Sequence, residues 1–169
     1  MEHSRVRAAD IAPEVVTEYR DKLTRSLLEA ICKLDGPCRE ALWDAQAHTC
    51  LTTFFDLTAL PAQMDLDAFL QAMHTAGTGQ VDITREGDTI YWIERREGQC
   101  ICPFVRLEVV NLNPILCRCS AHWVMHLLKI VTDTSVEVEV LDTVATGDES
   151  CSFRLTIVRD QEPADEVST

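Results

Sequence analysis

VEVEVLDTVATGDESCSFRLTI, residues 136–157, decides the fold. Val136, Val138 and Val140 alternate with Glu137 and Glu139, and Cys151, Phe153, Leu155 and Ile157 alternate with Ser152, Arg154 and Thr156. A period of two puts the apolar residues on one strand face and the polar ones on the other. Gly147-Asp148-Glu149 between the two runs turns the chain. The stretch therefore reads as a β-hairpin. Upstream, Val81 and Ile83 alternate with polar residues, Glu86-Gly87-Asp88 turns, and Thr89 to Glu94 is β-rich, which gives a second hairpin.

The rest of the chain reads as helical. Ser120 is suited to cap a helix running through Thr132, with Trp123, Leu127 and Ile130 on one face. Pro13 suits a first helical turn, and Val16, Tyr19, Leu23, Leu27, Ile31 and Leu34 recur at helical steps over about 13–34. Asp35-Gly36-Pro37 stops that helix. A second helix covers 38–58 with Leu42, Ala45, Thr49 and Phe54, and Pro61 lies just beyond. A third starts at Asp65, presents Leu66, Phe69, Leu70 and Met73, and ends before Gly77. Residues 103–116 are ambiguous: Val105, Leu107 and Val109 fit a strand, and Asn111 to Pro114 a loop. The expected class is α+β, with N-terminal helices followed by an antiparallel sheet of two hairpins and an intervening helix. One domain is expected over 1–160, mainly helical to 77 and cysteine-rich from 78, with an acidic disordered tail at 161–169.

At 169 residues there is material for a real core. The longest apolar runs fall far short of a membrane span. Met1-Glu2-His3-Ser4-Arg5 leads into a charged segment rather than a signal core, so a cytoplasmic location and reduced thiols are expected. A net charge of −13, with fifteen scattered Lys and Arg, argues against a nucleic-acid surface. No glycine loop cradles a phosphate, since Gly77-Thr78-Gly79 is too short, and no Gly-x-Ser-x-Gly elbow occurs.

Chemistry concentrates in sulfur. Four of the eight cysteines form two Cys-x-Cys pairs, Cys100/Cys102 and Cys117/Cys119. Thiols one residue apart close a strained disulfide ring, whereas two such pairs brought together surround one soft metal ion. Zinc suits four thiolates without redox chemistry, and an iron–sulfur cluster uses the same ligands. The second pair is expected just before a helix, whose positive end would favour the thiolate. Reactive thiols and plain buried cysteines are the alternatives. His122 and His126, four apart on one helix face, are candidates for further ligands or a general base, or else half-buried residues beside Trp123. Glu108 is a candidate hard ligand or acid/base, with a solvated charge as its plainer reading. Cys32 and Cys151 read as core packing, while His48-Thr49-Cys50 is a candidate to approach the site in space, which the spacing does not decide.

Cys-Ile-Cys-Pro-Phe, Leu-Cys-Arg-Cys-Ser-Ala-His-Trp and Gly-Asp-Glu-Ser-Cys-Ser-Phe-Arg-Leu, all within Cys100 to Ile157, resemble the 4-vinyl-reductase-type small-molecule-binding domain. The likeness is nearest to a bacterial branch with the same paired cysteines. The related L-2-amino-thiazoline-4-carboxylate hydrolase-like family shares the Cys-Pro-Phe start and the Gly-Asp-x-x-Cys-x-Phe ending. The resemblance covers about 60 residues and implies an antiparallel sheet backed by helices with a pocket between them. Some members hold zinc near a small organic ligand through cysteines and a carboxylate. The Cys-x-Cys spacing does not reproduce that ligand set.

The expected function is a small-molecule- or metal-binding sensor or accessory domain. A hydrolase is the first alternative, with Cys102 or Cys119 as nucleophile, or metal-bound water, and His122 or Glu108 moving protons. A purely structural metal clamp is the second. The expected partner is a small organic ligand, with no nucleic acid and no membrane; a homodimer stays open.

Overall fold

The computed structural model describes residues 12–58, 63–76, 80–95 and 97–158. Pro61, the Gly77-Thr78-Gly79 run and the tail at 161–169 lie outside them. The architecture is α+β: three helices, then a four-stranded antiparallel sheet with a helix between its hairpins. The elements are α1 (Pro13–Cys32), α2 (Gly36–Thr58), α3 (Leu66–Ala76), β1 (Val81–Glu86), β2 (Thr89–Arg95), α4 (Pro103–Arg106), α5 (Cys117–Thr132), β3 (Val136–Asp142) and β4 (Ser150–Ile157). The sheet order is β1-β2-β4-β3, so the two hairpins join through β2 and β4.

Alternation sets the inner face. Ile90 stands opposite Leu155 and Trp92 opposite Phe153, while Leu155 and Phe153 face Val138 and Val140 on the other side. Val124, Leu127, Leu128 and Val131 of α5 and Phe69 and Leu70 of α3 cover this face in one core cluster. The outer face carries Glu137, Glu139, Arg154 and Thr156, all exposed, with Arg154 paired to Glu139. A bulge between Val140 and Asp142 breaks the β3–β4 register, and Ser152 Oγ donates to Asp142 Oδ2 there at 2.6 Å.

Asp65 caps α3: its Oδ1 accepts from the N–H groups of Asp67 at 2.9 Å and Ala68 at 3.3 Å. Asp65→Ala is expected to lower stability by about 1 kcal/mol in urea unfolding, with m unchanged. An unchanged midpoint would show the cap to be redundant.

Three expectations need correction. α5 begins at Cys117, not after Ser120. Asn113 Oδ1 accepts from the Ile115 N–H at 2.9 Å and Pro114 opens a 3-10 turn that runs straight into the helix, so Asn113-Pro114 is the start signal. Residues 103–116 contain no strand; Pro103 instead starts the single turn α4. The buried stripe of α2 is Trp43, Ala47 and Leu51 rather than Leu42, Ala45, Thr49 and Phe54, because the bulky Trp43 side chain takes the inward position at 0 % exposure. On α1, Leu28 and Ile31 pack against Trp43, Val110 and Leu116, whereas Val16, Tyr19, Leu23 and Leu27 stay exposed. Arg25 ties α1 down by donating to the carbonyls of Val109 at 2.6 Å and Glu108 at 3.0 Å.

Candidate metal centre

Four elements bring sulfur together. The loop after β2 delivers Cys100 and Cys102, the first turn of α5 delivers Cys117 and Cys119, α2 delivers Cys50, and β4 delivers Cys151. The charge of each thiolate is felt by others. Cys117 senses Cys151, Cys100 and Cys102, and Cys119 senses Cys102 and Cys50. The two Cys-x-Cys pairs thus lie within electrostatic reach of one another, and Cys50 and Cys151 lie within reach of them. Cys151 is half-buried and packs against the main core cluster. Cys32 packs at the edge of the α1–α2 cluster, and Cys38 is exposed.

Local backbone prepares the sulfurs for negative charge. Cys102 precedes α4, and its sulfur accepts from the N–H groups of Val105 and Phe104. Cys100 sulfur accepts from the N–H of Cys102. The hydroxyl of buried Thr143, just past β3, donates to Cys117 sulfur.

Burial nevertheless dominates. It pushes the thiols of Cys50, Cys100 and Cys102 above the ordinary value, with like charge adding to the effect at Cys100 and Cys102. Burial together with its sulfur neighbours pushes Cys117 up to about 11 and Cys119 up to about 12. The expected lowering by the helix start does not occur. Five thiols raised in this way stay protonated near neutral pH and are poor nucleophiles. Among the described residues, no three His, Cys, Asp or Glu side chains are already arranged to hold a metal ion.

Glu94 was missed in the sequence. It is 7 % exposed and stands opposite Cys151 in the β2–β4 ladder, where Trp92 Nε1 donates to it at 3.3 Å. Its charge reaches Cys100. The signal was present: Ile90, Trp92 and Glu94 share one strand face, so a carboxylate at the third place is inward.

Glu108 lies exposed at the end of α4 with left-handed backbone, φ 57°, and none of its described contacts is with sulfur. His122 and His126 do lie together, but their partners are the carboxylates of α2: His122 Nε2 is 3.2 Å from Glu40 and His126 Nε2 is 2.9 Å from Asp44. Beside Cys100 an open cleft of about 530 Å³ is lined by Arg95, Arg106, Glu97, Glu149, Gln80 and Gln99 among others.

No protein-family model matches the chain, and no curated protein matches it in sequence. Among solved structures it resembles the trafficking protein particle complex subunit 3 of Naegleria fowleri, covalently bound to palmitic acid. The TM-score is 0.50 at 10 % identity, over 89 % of this chain and 99 % of that one. The two share a fold. No helix among the described residues is long and apolar enough to cross a membrane.

Proposed function

We propose that the chain is a metal-binding sensor or accessory domain that takes up a soft cation, zinc first, on the thiolates of Cys100, Cys102, Cys117 and Cys119. The observation that supports this reading is that the two Cys-x-Cys pairs lie within electrostatic reach of one another. A thiophilic cation would displace the thiol protons and stabilise the thiolates that burial alone disfavours. The donor set fits zinc in number and softness. The N–H groups of Cys102, Phe104 and Val105 and the Thr143 hydroxyl would orient the sulfurs as an outer shell. The cleft beside Cys100 gives a small organic ligand access to the same place, in line with the 4-vinyl-reductase-type resemblance. A cysteine hydrolase fits less well, because raised thiols are not activated.

Metal analysis of the purified protein tests the reading. About one zinc per chain is expected, with the four thiols resisting alkylation until a chelator is added. Cys117→Ser should lose the metal and lower the melting temperature of zinc-loaded samples, and leave that of the chelated protein nearly unchanged. No metal uptake, with four thiols inert throughout, would sink the proposal.

A further inference from the structure

α1 carries two apolar faces, and one of them is bare. Leu28 and Ile31 are buried against Trp43, Val110 and Leu116, and Asp21 and Thr24, on the same side of the helix, are half-buried. Val16, Tyr19, Leu23 and Leu27 recur at steps of three and four, so they form a second stripe about 100° further round. Each of these four is 49 % to 66 % exposed, and Val15 next to them is exposed as well. Steps of three and four are the spacing through which two helices interlock side by side. Monomers rarely leave a contiguous apolar surface of this length to water.

The same half of the helix lacks support from its own fold. Every residue from Pro13 to Arg20 is exposed, and the anchors Arg25, Leu28 and Ile31 all lie in the second half. Two turns without tertiary packing are marginal in water, because helices in proteins are held chiefly by a packed apolar face.

We propose that this stripe is the seam of a homodimer, in which α1 of one chain packs on α1 of a second copy about a two-fold axis. Each copy has the same unpacked half-helix, and a two-fold contact supplies packing to both at once. Charge favours the same pairing. The chain carries −13, so two copies repel over most of their surface. α1 itself holds four acidic residues against three basic ones, so the repulsion nearly vanishes where the copies touch. The size is sufficient for a modest interface. A helix of 20 residues is about 30 Å long and about 10 Å wide, so one face of it offers roughly 500 Å². A pair then buries about 1,000 Å², the lower bound for a specific contact, and an affinity in the micromolar range is expected. The chain's own segments outside the described residues bring few large apolar side chains to cover the stripe: Met1, Val6 and Ile11 in 1–11, and Val167 in 159–169. A lipid surface fits less well, since helices that lie on membranes carry a polar face rich in Lys and Arg.

Sedimentation equilibrium of the full chain tests the seam, in reductant so that the exposed Cys38 links no copies. The mass should rise from one chain at about 1 μM to two at about 500 μM. Added salt should tighten the association by screening the acidic repulsion. Leu23→Arg lowers the net charge, yet it should weaken the dimer by about 30-fold or more, because the seam then buries a cation against an apolar stripe. Leu23 is exposed in the single chain, so the melting temperature of dilute protein should hold in this variant. Leu141→Arg, at an exposed position on β3, should leave the dimer intact. Amide exchange on the wild-type chain needs no variant: residues 13–24 should gain protection as concentration rises, while β2 and β4 keep theirs. A chain that stays monomeric throughout would overturn the seam. So would a dimer that survives Leu23→Arg and parts with Leu141→Arg, or concentration-dependent protection that spares 13–24. Protection of 13–24 by neutral phosphatidylcholine vesicles in a chain that does not self-associate would assign the stripe to a lipid surface instead.

Discussion

Metal-free protein will lose stability as the pH rises from about 9 to about 12, and zinc will reverse the trend. The direction follows from proton binding. Unfolded thiols titrate near 9, whereas folded Cys117 and Cys119 hold their protons to about 11 and about 12 because burial penalises the thiolate. Between those limits the folded chain binds more protons than the unfolded one, so stability falls as pH rises. It is fully present below 9 and lost through the folded values. The slope is at most about 1.4 kcal/mol per pH unit per thiol, and less here because these groups keep partial contact with water. Zinc replaces the protons with one ion, releasing about four per site, so its apparent affinity climbs with pH. Zinc-loaded protein should therefore gain on the metal-free form across the same window. Urea midpoints at pH 8 and pH 10.5, with and without zinc, read both signs. A metal-free midpoint that holds or rises at the higher pH would contradict the buried-thiol picture.

How much of this was legible in the sequence depended on whether the signal was local. The strands β3 and β4 were, because a two-residue period leaves no other way to bury Val136, Phe153 and Leu155 together, with Val138 packed beside them. The Asp65 cap was, because it acts over three residues. The joining of the hairpins through β2 and β4 was not, since nothing in either strand names its partner. The start of α5 misled because Ser120 is a good cap, yet Asn113-Pro114 acts earlier and fixes the chain first. Cys117 and Cys119 thus stand in the first turn of α5, where burial raises their pKa values. The spacing marked the two Cys-x-Cys pairs and Cys50 as candidates for one site, but only the packing of α2, α5 and β4 puts them within electrostatic reach. The contact between α2 and α5 shows the same division. Glu40, Asp44 and His48 are visibly one stripe, and so are His122 and His126, but only the packing of α2 on α5 sets one against the other.

Trp92→Ala should be the most damaging single change in the chain. Trp92 is 1 % exposed on β2, opposite Phe153 and with its ring centroid 6.4 Å from that of Phe69 on α3. It is therefore where the two hairpins and a helix share one contact surface. Truncation to alanine in such a place costs about 3 to 5 kcal/mol, the transfer loss adding to an unfilled cavity. A chain of this size with ordinary stability of about 5 to 15 kcal/mol would lose a large part of it, and the melting temperature should fall by about 10 °C or more. Trp92→Phe separates packing from polarity. It keeps most of the ring volume but removes the N–H that reaches Glu94 at 3.3 Å, so the expected loss is smaller, about 1 to 2 kcal/mol. Because Glu94 stands beside Cys151 and its charge reaches Cys100, the Phe variant should also alter the proposed zinc site, seen as a changed affinity at unchanged stoichiometry. The alanine variant should bind zinc only as far as it still folds. If Trp92→Ala melts cooperatively within two or three degrees of wild type, the core is not organised around this residue and the link from Trp92 through Glu94 to the thiols fails with it.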